Sequence, residues 1–296
     1  MNRDLFKHFF KHFLQIFMGD RGILPASLYS NWYPELLILL YHQIISPELL
    51  KNPCELEKAL EIFSKHLEAL KSKPILHPGD ALTPSEFHFA LTFDDAYADF
   101  YHCIFPLLKK YKIKAILGIP TAYIQDPPTD QLPNPHIRLN TPYPEGLNPR
   151  YCNQVPLCTW TELKEMQDSG LVYMASHGHQ HLSCTEINET RLKQELETSK
   201  KLILEKLGFE TQTFIYPYGH CNAAVHTVVR QFYNYAFRIG SASNTYWDNA
   251  VNNHLLYRVH GDDFYQEPRS PLLVIKSQFK FWAWRCKYFT NLLRNK

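Results

Sequence analysis

A chain of 296 residues, 45% hydrophobic and 20% charged, is long enough to bury a large core and too apolar to stay disordered. Its 31 basic and 29 acidic residues nearly cancel, which argues against a nucleic-acid partner, since such binders concentrate basic residues on one face. Seven cysteines, an odd number without a Cys-x-x-Cys pair, give neither a disulfide framework nor a thiolate zinc site, and fit reduced thiols in a cytoplasmic protein.

At the start of the chain, Leu5, Phe6, Phe9, Phe10, Phe13, Leu14 and Phe17 recur at helical spacing opposite Lys7, His8, Lys11, His12 and Gln15. Such a stripe suits a membrane surface and equally suits docking on the protein's own body. The interspersed basic residues and the lack of a small-residue cleavage site make it a poor secretory signal. No apolar stretch approaches the ~20 residues of a membrane-spanning helix. The expectation is therefore a cytoplasmic protein, at most peripheral to a membrane. Residues 1–34 read as an amphipathic extension, and 267–296 as a tail or final helix around Phe279-Lys280-Phe281-Trp282-Ala283-Trp284-Arg285.

Residues 35–266 carry the main domain, in which short apolar runs alternate with longer amphipathic ones, an α/β pattern. Strands are expected at Leu36 to Tyr41, Phe87 to Phe93, Ile113 to Ile119, Leu171 to Ser176, Thr211 to Tyr216 and Tyr235 to Ile239. One helix is expected from about Cys54 to Leu70. A second begins at Thr159, whose spacing to Glu162 suits a capping box, and ends at Gly170. A third runs from Glu189 to Leu207 between an Asn188 cap and a Gly208 stop. Residues 121–158, with eight prolines, form a long connection that can line a substrate groove or merely bridge two elements.

The chemistry lies at strand ends. Asp94 and Asp95 close Phe89-Ala90-Leu91-Thr92-Phe93-Asp94-Asp95, His177 follows the fourth strand, and Tyr216-Pro217-Tyr218-Gly219 follows the fifth. Ligands of β/α sheets bind at the carboxyl ends of the strands. Two histidines and one aspartate make a cation site with an open position, and the second aspartate is left to handle protons. The i, i+4 spacing of His177 and His181 lets both imidazoles face one ion if the segment turns helically, with His179 pointing elsewhere. A single aspartate would suffice as a helix cap, but a cap leaves the histidines unexplained. Trp160 and Trp247 can stack on a ligand ring or fill the core; Tyr246-Trp247-Asp248 is the best candidate for stacking.

Thr92-Phe93-Asp94-Asp95, Ser176-His177-Gly178-His179-Gln180-His181 and Phe214-Ile215-Tyr216-Pro217-Tyr218-Gly219 resemble, in order and approximate spacing, the first three motifs of the polysaccharide deacetylases. This is the NodB-homology group, or carbohydrate esterase family 4. The resemblance spans roughly Leu36 to His260 and includes Leu40-Tyr41-His42 and Thr159-Trp160-Thr161-Glu162-Leu163 with Gly170. It implies a distorted (β/α) barrel of about seven parallel strands. It also implies one divalent ion, zinc by preference, on Asp95, His177 and His181. Asp94 would be the base, and the Tyr218 backbone N–H an oxyanion donor. The reaction implied is removal of an N-acetyl group from an amino-sugar polymer or glycoconjugate, so the partner would be an N-acetylated glycan.

Two departures stand out. Many members carry an arginine where Tyr216 stands, steadying the base by charge, so here the base would be tuned less by charge. The family's late motif ends in a histidine acting as general acid; Leu255-Leu256-Tyr257-Arg258-Val259-His260 is the nearest match and makes His260 the candidate. Two other readings compete with deacetylation. A metal-dependent amidohydrolase also uses a His-x-His pair, which His177-Gly178-His179 fits, although that pair normally lies on the first barrel strand. A silent carbohydrate-binding protein on the same fold would have no use for a spare base.

Overall fold

The computed structural model of the chain describes residues 35–46, 49, 52–83, 86–125, 157–240, 244, 247 and 255–261. The N-terminal stripe, most of the proline-rich connection and the aromatic, basic tail lie outside the described residues.

Seven parallel strands close into a barrel in chain order: β1 (Glu35–Tyr41), β2 (Phe87–Phe93), β3 (Ala115–Ile119), β4 (Val172–Ser176), β5 (Thr213–Ile215), β6 (Tyr235–Ile239) and β7 (Leu255–His260). The ring is completed by β7 pairing with β1, where Ile38 faces Arg258 and Leu40 faces His260. These strands are almost continuously apolar because both of their faces are covered. Alternate residues such as Leu36, Ile38, Ala90, Ile116, Ala175, Ile215, Phe237 and Leu256 fill the barrel interior. The intervening ones, Leu39, Tyr41, Leu91, Phe93, Leu117 and Met174 among them, pack outward in the largest cluster.

The helices covering the barrel are α1 (Pro53–Leu70), α2 (Phe105–Tyr111), α3 (Trp160–Asp168), α4 (Glu189–Leu207) and α5 (Ala223–Val229). Their ends follow the capping chemistry of the sequence. In α3, Glu162 N donates to Thr159 Oγ1 at 3.2 Å and Thr159 N to Glu162 Oε2 at 2.8 Å, a complete capping box. In α4, Asn188 accepts from Arg191 N at 2.9 Å, and Gly208 takes a left-handed φ of 66° that stops the helix. Among the described residues, no helix is long and apolar enough to cross a membrane.

Trp247 does not offer its ring to a sugar. It is 5% exposed, stacks near Phe237 with centroids 6.3 Å apart, belongs to the interior cluster, and donates Nε1–H to the Asp80 carbonyl at 2.9 Å. Trp160 is likewise buried. Tyr246 and Asp248 lie outside the described residues.

Candidate active site

The carboxyl ends of β2, β4 and β5 bring the motif residues together. Asp95 Oδ1 lies 3.6 Å from His177 Nε2 and 3.4 Å from His181 Nε2, and the two Nε2 atoms are 3.1 Å apart. All three residues are buried, and they form a set whose ligand atoms lie within 4.8 Å of one another. Ligands of a tetrahedral ion held at ~2.1 Å stand roughly 3.4 Å apart, so the triangle has dimensions that fit a divalent metal ion.

The protonation states agree with this reading. His177 Nδ1 lies 2.9 Å from the Ile215 carbonyl, which can only accept, so that nitrogen carries the proton and Nε2 presents its lone pair to the site. Burial, reinforced by neighbouring His177, lowers the pKa of His181 to about 2, which keeps its imidazole neutral. The Tyr97 hydroxyl donates to the Asp95 carboxylate; burial first, and then that charge, push the phenol far above its ordinary range.

The histidines do not converge through a helical turn, as their spacing had suggested. Residues 177–182 are a loop in which Gly178 and His181 adopt left-handed φ values of 78° and 52°. Glu195 of α4 holds this loop, accepting from His179 N at 3.0 Å and Gln180 N at 2.6 Å. His179 stays out of the ligand set and places Nδ1 3.0 Å from Thr121 Oγ1. Of the five non-glycine residues with positive φ among those described, four stand at the site: Asp95, Ala96, His181 and Tyr218. Left-handed backbone costs an L-residue roughly 1–2 kcal/mol, and such strain gathers where function fixes the geometry.

Asp94 is the buried neighbour of the triangle. Arg258, 0% exposed, donates Nη1 to Asp94 Oδ1 at 2.6 Å and Nη2 to Oδ2 at 2.9 Å. Burial alone would raise the carboxyl's pKa, but the Arg258 charge, helped by His177, outweighs it and holds Asp94 well below the usual carboxylate range. Charge therefore does act on Asp94, from Arg258 rather than from position 216, contrary to the expectation drawn from Tyr216. Tyr216 faces away: it packs with Phe214 and Tyr233 in the cluster beneath α4 and α5, and its hydroxyl meets His226 Nδ1 at 2.8 Å. The inward residue of that pair is Ile215. Opposite it stands Gly118, where a Cβ would lie 3.1 Å from Ile215 Cδ1 and 3.5 Å from Asp94 Oδ1.

The rim holds the remaining residues. Tyr218, 47% exposed with φ 59°, sets its ring 4.7 Å from that of His181. His260 ends β7 beside Leu40 and is exposed. His42, just past β1, lies with Nε2 3.9 Å from Asp94 Oδ2. Sequence reading missed His42, Arg258, Gly118 and Glu195 as site residues. Of these, His42 left a trace within Leu40-Tyr41-His42 and Arg258 within Leu255-Leu256-Tyr257-Arg258-Val259-His260, neither with a role.

The profile of a family described as polysaccharide deacetylase matches residues 81–236, over half of the chain. The chain belongs to the polysaccharide deacetylase family. Among its relatives is YxkH of Bacillus subtilis (strain 168), named for polysaccharide deacetylase and 29% identical over 195 residues, which is 64% of this chain and 58% of that protein. The fold is shared with the Streptococcus pyogenes deacetylase PplD (TM-score 0.57, 22% identity, covering 82% of this chain and 97% of that one). It is shared also with IcaB from Ammonifex degensii (TM-score 0.56, 19% identity, covering 78% and 94%).

Proposed function

We propose that the protein is a metal-dependent hydrolase that removes N-acetyl groups from an amino-sugar polymer or glycoconjugate. The observation that carries this reading is the ionised Asp94 standing directly beside the Asp95, His177 and His181 triangle. A divalent cation, zinc by the match of two nitrogens and one oxygen, would polarise the acetyl carbonyl and acidify a water molecule when bound there.

The chain's own groups supply the rest. Asp94 accepts the proton that the attacking water gives up. The Tyr218 backbone N–H, on its left-handed turn, donates to the oxyanion as the carbonyl carbon becomes tetrahedral. The bond from that carbon to the sugar nitrogen then breaks, and the nitrogen leaves as an amine once it is protonated. His42 or His260 at the rim serves as donor, and His42 is the one beside Asp94. Family membership supports the N-acetylated glycan as partner. Two ions per chain would support the amidohydrolase reading, and one cluster of three ligands stands among the described residues.

The test is acetate release from a panel of N-acetylglucosamine oligomers, poly-N-acetylglucosamine and peptidoglycan fragments, with and without added zinc, beside Asp94→Asn. Wild type should release acetate from at least one glycan in a zinc-dependent manner. The variant should lose about 10²- to 10⁴-fold in rate. Equal release by both would remove Asp94 as the base, and no release from any glycan would defeat the deacetylase reading.

A further inference from the structure

We propose that Arg258 is the positioning residue of the catalytic base: from β7 it grips both oxygens of Asp94 and fixes which one faces the reaction. This rests on the deacetylase reading above. The guanidinium forms a two-pronged contact, Nη1 to Oδ1 at 2.6 Å and Nη2 to Oδ2 at 2.9 Å. Nη1 also reaches Thr92 Oγ1 at 3.1 Å, and that hydroxyl donates to the Leu39 carbonyl at 2.9 Å. Three adjacent strands, β7, β1 and β2, thereby hold one carboxylate.

The fork makes the two oxygens inequivalent. Oδ1 is the inner one, bound by Nη1 and close to the space left open at Gly118. Oδ2 faces the cation site and the rim, 3.9 Å from His177 Nε2 and 3.9 Å from His42 Nε2. A planar guanidinium can impose this orientation through two parallel bonds, whereas an ammonium is a single point charge.

A purely structural role fits the surroundings poorly. The interior cluster beside it is built of Leu, Ile, Ala, Phe and Trp side chains, and a buried ion pair commonly offers no stability over apolar packing of similar volume. Arg258 Nε is in addition buried with no hydrogen-bond acceptor, a cost that an aliphatic side chain would avoid.

The test compares Arg258→Met and Arg258→Lys with wild type for kcat, KM and bound zinc. Arg258→Met should keep one zinc per chain and a KM within about threefold while kcat falls about 100-fold, the scale of a misplaced catalytic group. Arg258→Lys should recover part of that loss by restoring charge without the fork. A folded Arg258→Met with wild-type kcat overturns the proposal, as does loss of zinc in step with kcat, which would mark a structural role.

A second measurement needs no substrate: thermal midpoints of Arg258→Met, Asp94→Asn and the double variant. Arg258→Met alone should lower the midpoint, and adding Asp94→Asn should restore much of it, because the uncompensated buried charge is then gone. Strictly additive effects overturn the pairing. Coupling in a protein that deacetylates no glycan would leave the pairing standing and defeat the deacetylase reading instead.

Discussion

Two histidines at the rim compete for one task. Protonating a leaving amine requires a donor within reach of the reacting centre. His42 Nε2 lies 3.9 Å from Asp94 Oδ2, and its side chain is 44% exposed, open to a substrate entering from solvent. Asp99 anchors the backbone beyond it, accepting from Ile44 N at 2.9 Å and Ile45 N at 2.8 Å. His260, two residues beyond Arg258 on β7, is exposed and sits beside Leu40. Strand alternation sends Leu40 and His42 the same way, and likewise Arg258 and His260, so both imidazoles reach the rim. Proximity to the base favours His42. The expected outcome is that His42→Ala lowers kcat about 100-fold with little change in zinc content, while His260→Ala stays within severalfold of wild type. Steady-state kinetics on the best glycan decides it, and the opposite ranking would return the role to His260. The family resemblance pointed to His260 because the late motif is an apolar strand ending in histidine, but His42 follows such a strand too, and only ring closure brings β1 next to β7.

At the scale of elements, the strands and caps were legible because their signals are local. An apolar run covered on both faces gives β2 and β6 with the expected bounds, and Asn188 and Gly208 bracket α4 as capping chemistry requires. The 177–182 loop was not legible, since i, i+4 spacing fits a helical turn and a loop pinned from outside equally well. What pins it is Glu195, on a helix that the sequence reads as merely amphipathic. Its Oε2 gathers His179 N and Gln180 N, and Oε1 lies 3.0 Å from Arg191 Nη2. Two amide hydrogens aimed at one carboxylate oxygen set the path of the chain between the histidines, so the ligand triangle depends on α4. Glu195→Ala is therefore expected to weaken zinc binding about tenfold or more while α4 stays folded, because the supports of a metal site commonly matter on that scale. Competition against a calibrated chelator measures the affinity, and far-ultraviolet circular dichroism checks the helix. An unchanged affinity would show that the loop holds its shape without this anchor.

For the whole molecule, closure of the ring determines what can meet. Arg258 and Asp94 are far apart in the chain, and nothing in a local window links them. They touch because β7 returns to β1 and β1 pairs along its full length with β2. An arginine in an apolar run reads as a surface residue of an edge strand, yet a closed barrel has no edge, and alternation from Leu256 sends Arg258 inward. The candidate cation site is global in the same sense, tying β2 to the loop after β4, with the Ile215 carbonyl of β5 orienting His177. An ion bound there would cross-link two strand ends, those of β2 and β4, in the folded chain and find no such geometry in the unfolded one, so its binding energy adds to stability. With free zinc at 1,000 times its dissociation constant the gain is about 4 kcal/mol. For a domain of this size each kcal/mol raises the midpoint by roughly 2–4 °C, so zinc should raise the melting temperature by about 10 °C over a chelator-treated sample. Asp95→Asn and His181→Ala should each abolish most of that shift. Asp94→Asn, which removes the base and leaves the ligands, should retain it. Differential scanning calorimetry reads the four proteins, each with zinc and with chelator, and coincident midpoints of wild type in the two conditions would mean that Asp95, His177 and His181 do not bind the ion.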